Sequence, residues 1–452
     1  MVRDLTNGRP LKLILQVTIP LIFGSLFQQL YNMADTIIVG QFLGKESLAA
    51  VGSTGCLIFL IIGFVQGVCS GFSIPVSQCF GAGDEPNLRR SVSNACWLSL
   101  GIAVVLTITT TLSCRPILRL LQTPDNIFGD ASAYLSVIFL GIGATFLYNL
   151  LSGFLRALGD SKSPLIFLVI SSVLNIGLDI LFIVVFQSGT AGAAWATVIA
   201  QGVSGVLCFF FILKKFPILR VRREEWAFSI SHAKKLLGMG IPMGLQFSIT
   251  AIGSTILQSA VNALGSDTVA AITAAAKVQM LLTVPMESLG VTAATYAGQN
   301  LGAGKIERVR IGVRQSLLCG FGYSVAACII GITAGSAMAR LFLDAGETAI
   351  LAQVTQFLTV NGCFYILLTS LLVLRNTIQG LGYGVPAMAA GLFEMVARSA
   401  VALGLVQRFG FDAVCFANPA AWIAANILLI PVYCKVLHTL LHSYPQVKDE
   451  TL

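Results

Sequence analysis

The sequence predicts an all-α polytopic membrane protein, with twelve transmembrane helices in two six-helix lobes. Three observations predict it. Apolar runs long enough to cross the hydrocarbon layer, about 20 residues each, recur along the whole chain. The basic residues are sorted to alternate sides of those runs. And the second half of the chain repeats the first.

The apolar runs follow from composition. Of 452 residues, 56% are hydrophobic and 11% are charged, with a mean hydropathy of +0.85. A soluble domain carries about 25% charged residues. The spans fall near 13–39, 47–79, 88–113, 131–155, 163–187, 190–213, 233–263, 268–299, 308–335, 348–374, 385–408 and 413–437. Several are longer than the bilayer needs and must tilt or kink. Pro20, Pro75, Pro242 and Pro285 lie inside them as kink sites. Arg3, Arg9 and Lys12 precede an apolar segment with no small-residue cleavage pattern, so the first run reads as a retained span.

Orientation comes from the basic residues. With the N-terminus inside, cytoplasmic segments collect 21 of the 28 Lys and Arg. External segments hold 5, namely Lys45, Arg115, Arg119, Arg340 and Arg408, and Lys277 and Arg398 fall within spans. This asymmetry places both termini in the cytoplasm of a multi-pass inner-membrane protein. It also accounts for the net charge of +8 without nucleic acid as a partner. The polar 214–235 stretch reads as a cytoplasmic linker facing anionic lipid.

The repeat has an offset of 221 residues. Gln78 matches Gln299, Gly81-Ala82-Gly83 matches Gly302-Ala303-Gly304, and Arg89 matches Arg310. Leu43-Gly44 pairs with Leu264-Gly265, and one residue of slippage brings Ile19-Pro20 onto Ile241-Pro242. LRALGDSKSP at 155–164 echoes IQGLGYGVP at 378–386. The predicted organisation is an N-terminal lobe (1–213), a linker (214–232), a C-terminal lobe (233–440) and a cytoplasmic tail (441–452). Six spans per half make parallel repeats related by an axis along the membrane normal, an arrangement that transporters use.

The site candidates are the intramembrane charges, since a charge there costs at least about 2.5–3.5 kcal/mol. They are Asp35, Asp179, Lys277, Glu287, Glu394 and Arg398. Glu394 and Arg398, four apart, share a helical face and can pair. Lys277 can snorkel outward. Asp35 and Asp179 have no basic partner in the first half. With Thr197, they fall at a similar depth in the outer half of the N-terminal lobe when spans rise about 1.5 Å per residue. Asn175 is one turn before Asp179, on its face. Two carboxyl groups with amide and hydroxyl oxygens suit a shared proton or a hard monovalent cation such as Na⁺. The alternative is two protonated aspartates held for packing alone.

Other chemistry is poorly supplied. The 11 cysteines are scattered through apolar runs without a CxxC pair, and His232, His438 and His442 lie at span ends or in the tail. No HExxH motif and no intramembrane histidine support an enzyme. GLGYGV at 380–385 leads into a proline and a span, not from a strand, so it is no phosphate loop.

YNMADTIIVGQFLG at 31–44, Ile-Pro in span one, the paired Q-x-x-GAG segments, RALGDSKSP and NIGLDILFI occur in an order that resembles, end to end, the multidrug and toxic compound extrusion (MATE) family. The details look most like its DinF-like branch. There, the resemblance implies an N-lobe cation site built from Asp35, Asn175, Asp179 and Thr197. Asn149 matches a neighbouring polar position, and Pro20 matches a proline whose bending is linked to protonation. The NorM-like branch differs: its span-seven acid is missing and its span-ten D-x-x-Q reads Asn376-Thr377-Ile378-Gln379 here. Glu287, Glu394 and Asn376 are the candidates for a C-lobe cavity.

The resemblance implies a secondary antiporter coupled to H⁺ or Na⁺, with no cofactor, exporting small amphipathic and often cationic organic compounds by alternating access. A monomer among membrane lipid is the family expectation. The competing function is a lipid-linked oligosaccharide flippase of the same superfamily. Such proteins usually have fourteen spans and a cationic cavity.

Overall fold

The computed structural model describes residues 3–340 and 348–443. The predicted tail beyond Ser443 lies outside the described residues. Among those described there are fourteen α-helices, one π-helical turn, two short 3-10 turns and no strand.

Helix α1 (Pro10–Gly81) is 72 residues long. At about 1.5 Å per residue that length is more than three times the hydrocarbon core, so it cannot be one span. Gly44, at φ 85°, breaks it. A side chain there would be strained, whereas glycine adopts this backbone freely. Next come α2 (Glu85–Leu120), α3 (Asp125–Leu140), α4 (Ile142–Ala157), α5 (Lys162–Asp179) and α6 (Gly189–Lys215), with a π turn (Ile180–Val185) closing α5. The second half holds α7 (Ile230–Asn262), α8 (Ser266–Gly302), α9 (Ile306–Ala339), α10 (Thr348–Cys363) and α11 (Tyr365–Gly380). It ends with α12 (Gly384–Gly404), α13 (Val406–Phe409) and α14 (Phe411–Ser443).

Among the described residues, nine helices are long and apolar enough to span a membrane by themselves, and the bent pairs α3–α4 (47°) and α10–α11 (53°) add two. Counting the two sides of Gly44 separately gives the predicted twelve.

The backbone repeats as the sequence does. Left-handed glycines recur in pairs: Gly44 and Gly265 (φ 85° and 101°), Gly83 and Gly304 (67° and 71°), Gly159 and Gly382 (77° and 95°), Gly189 and Gly410 (61° and 57°). Each pair sits at the same turn of its half.

The chain packs as two units. One holds Arg3, Asp4 and Phe23–Gly244, and the other holds Leu5–Ile22 and the chain from Leu245 onward. The contiguous lobes 1–213 and 233–440 differ from these units at the first helix of each half. The change of unit comes two residues after Pro20 in α1 and two after Pro242 in α7.

Local packing explains both exchanges. In the first unit, α7 presses backbone to backbone on α1. A Cβ on Gly71 would lie 2.5 Å from Gly240 Cα, and one on Gly67 would lie 2.5 Å from Met243 O. Glycines four apart on both helices allow this approach. In the second unit the start of α1 is held by side chains. Thr18 Oγ1 donates to Thr292 Oγ1 at 2.9 Å. Leu5 N donates to Gln299 Oε1 (2.9 Å), and Arg308 Nη2 donates to Gly8 O (2.7 Å). Leu5, Ile14 and Val17 join that unit's apolar core.

The linker is more than a basic surface. Its Glu225 is buried and accepts from Arg89 Nε of α2 at 2.8 Å, while Ser93 Oγ donates to the Glu225 carbonyl at 2.7 Å. Trp226 lies edge-on to Trp97, with centroids 6.2 Å apart.

Gly71→Ala must push α7 off α1, so it should cost about 1–3 kcal/mol, as overpacking does. Gly101→Ala, with nothing within 4 Å of the added methyl, should leave stability unchanged. Thermal midpoints of the two variants in detergent check this pair.

Candidate functional site

In the first unit, α1, α3, α5 and α6 bring a polar cluster together. Asn175 and Asp179 are one turn apart on α5, at 1% and 0% exposure. The π turn begins directly after Asp179, and such segments favour functional positions. The Asn175 amide nitrogen donates to Asp179 Oδ2 (3.1 Å), and its oxygen accepts from Thr197 N (3.2 Å). The same amide lies 3.3 Å from Thr197 Oγ1. Asp35 arrives from α1 within hydrogen-bonding reach of Asp179. Asp35 Oδ1 and Asp179 Oδ1 are sealed from solvent and meet no hydrogen-bond donor.

Two sequence candidates stand apart. The Asn149 amide donates to Thr145 O of its own helix at 2.8 Å and has no bond to the cluster. Pro20 belongs to the other packing unit.

Two tyrosines complete the cluster. Tyr31 lies near Thr197 and Asp35, and Tyr134 of α3 is within electrostatic reach of Tyr31, Asp35 and Asp179. Tyr31 is one helical turn before Asp35, so its spacing was a usable signal. Nothing local marks Tyr134.

The second unit holds a different charge set. Glu394 Oε1 accepts from Arg375 Nη1 at 2.9 Å. This corrects the expected pairing of Glu394 with Arg398, because α11 runs on to Gly380 and carries Arg375 inside, where its side chain reaches α12. Arg398 stays beside Glu394, but its Nε and Nη1 find no acceptor among the described residues. Glu287 presents exposed surface and lies within electrostatic reach of Arg375. Lys277 is exposed. Asn376 donates to Leu372 O at 2.8 Å, which satisfies its amide nitrogen within its own helix.

Twelve spans in two repeated halves, with a buried carboxyl pair in one and buried arginines in the other, define a polytopic membrane transporter. The MatE family model matches residues 20–181 and again 242–403, the two halves of the repeat. The probable multidrug resistance protein YpnP of Bacillus subtilis (strain 168) is 31% identical over 308 residues, 68% of this chain and 68% of its own length. The probable multidrug resistance protein NorM of Thermotoga maritima is 23% identical over 405 residues, covering 88% and 86%. A solved structure of a MATE in complex with MaL6 superposes with a TM-score of 0.91 at 25% identity, over 98% of this chain and 99% of that one. The chain therefore belongs to the MatE family, the multidrug and toxic compound extrusion transporters. It is a multi-pass membrane transporter and not an enzyme.

Arg375→Ala would take from the buried Glu394 carboxylate the one cation that hydrogen-bonds to it among the described residues, with Arg398 beside it but not bonded to it. Its expected cost is about 3–5 kcal/mol. Replacing both members, Arg375→Met with Glu394→Leu, should recover most of that loss, read as thermal midpoints in detergent.

Proposed function

We propose that this transporter is a cation-coupled antiporter of the DinF-like branch, exporting organic compounds by alternating access between two lobes. The meeting of Asp35 and Asp179 carries the reading. Two carboxyl groups in hydrogen-bonding reach, inside the membrane and without a basic partner, cannot both hold a full charge unless a cation joins them.

Coupling to H⁺ is favoured over Na⁺. A single proton satisfies the pair directly. Sodium would have to recruit further oxygens around the pair in a fixed geometry. In this scheme a proton entering from outside neutralises the pair, and the change in charge alters the packing of α1 against α5. Pro20, next to the point where α1 changes packing unit, is where the helix bends in response. Release of the proton inside resets the site. Coupling requires that proton and substrate favour different conformations, since equal affinity for both would shift nothing. The multidrug relatives support an amphipathic organic substrate. Thr197 and Asn175 orient the pair, with Tyr31 nearby.

The test is export of ethidium from proteoliposomes, with pH and Na⁺ gradients imposed separately. A pH gradient should drive wild-type export, and Asp35→Asn or Asp179→Asn should reduce it to the leak rate. Export that survives both substitutions at normal protein levels would defeat this assignment of the coupling site. A Na⁺ gradient that drives export alone would defeat the preference for H⁺.

A further inference from the structure

The Arg375–Glu394–Arg398 cluster has an excess of guanidinium. Glu394 Oε1 accepts its hydrogen bond from Arg375 Nη1. Arg398 is 6% exposed, yet its Nε and Nη1 have no acceptor among the described residues, and neither has Arg375 Nε. Unmet hydrogen bonds of a buried charged group are costly. Buried arginines in a membrane are ordinarily paired. Glu394 can hold one of these two arginines, and the second acid nearby, Glu287, is exposed and makes no hydrogen bond to either. Arg398 lies 14 residues from the start of α12, so its charge sits about 21 Å along that helix, well inside the membrane. Arg375 keeps 13% of its side-chain surface open, so the cluster can be approached from its side.

We propose that Arg398, with Arg375, receives a carboxylate of the transported compound in the second unit. The planar guanidinium fork matches a carboxylate in shape and charge, and it lacks an acceptor here. The transported compound would then carry an acid group besides its apolar body, instead of a cation alone. The proposal rests on the export reading only in taking its ligand to be a transported compound. Binding itself needs no gradient and no proton site.

Rhodamine B and its ethyl ester share one cationic aromatic body and differ in a free carboxylate. Fluorescence anisotropy with purified protein in detergent gives both affinities. Wild type should bind rhodamine B at least about tenfold more tightly than the ester, the worth of one charge-assisted hydrogen bond. Arg398→Gln should bring the two dyes to parity by weakening rhodamine B alone, and Arg398→Lys should keep part of the preference. Equal wild-type affinities, binding of the ester alone, binding of neither dye, or an equal loss of both dyes in Arg398→Gln would each overturn the proposal. The wild-type comparison stands even where the variants fail to fold. The dye comparison uses neither a gradient nor a variant of the carboxyl pair, so a failed coupling site and a failed acid-binding site give different results.

Discussion

The first unit is organised around two carboxyl groups that the fold forces together. Asp35 and Asp179 come from helices far apart in sequence. Two full charges at that distance would repel strongly in a low-dielectric interior. The surroundings serve the pair. Asn175 fixes one oxygen of Asp179 and is itself fixed by the α6 backbone. Tyr31 and Tyr134 shield the pair with rings that carry no charge. The π turn behind Asp179 releases α5 from regular geometry where the site needs room. One small polar cluster thereby joins side chains from four helices.

The second unit has the same backbone and opposite polarity. Its helices bend and turn where those of the first do, as the paired glycines and the two bent helix pairs record. Yet the charges that meet between its α11 and α12 are two arginines around one glutamate. The repeat thus conserves backbone geometry between the halves and leaves the side chains free to differ. A family shared across one scaffold consequently says little about which ion or substrate a member carries. The buried groups decide that.

The sequence made the spans legible because hydropathy is a summed property, tolerant of local error. It made Asn175 and Asp179 legible as a face, because residues four apart on a helix share a direction. It placed Asp35 and Thr197 at the same depth by counting residues. What stayed hidden depended on contacts between helices. Tyr134 looks like any aromatic in an apolar run until α3 packs beside α1. Arg375 lay one residue past the predicted end of its span at 374, so it was counted with the cytoplasmic charges. The true helix runs on to Gly380, and the long arginine side chain reaches inward to Glu394. The lobe boundaries are readable as a repeat, but the crossing of α1 and α7 into the opposite packing units is not. It depends on Gly71 meeting Gly240 and on Thr18 meeting Thr292, partners more than 160 residues apart in each case.

That crossing sets an order of events during synthesis. The segment Leu5–Ile22 finishes its packing on α8 and α9, and Thr18 waits for a partner 274 residues downstream. Through most of translation the first helix therefore sits in the bilayer with one flank bare, facing lipid or a chaperone. Leu5–Ile22 is made well before its partners on α8 and α9 and settles only after them.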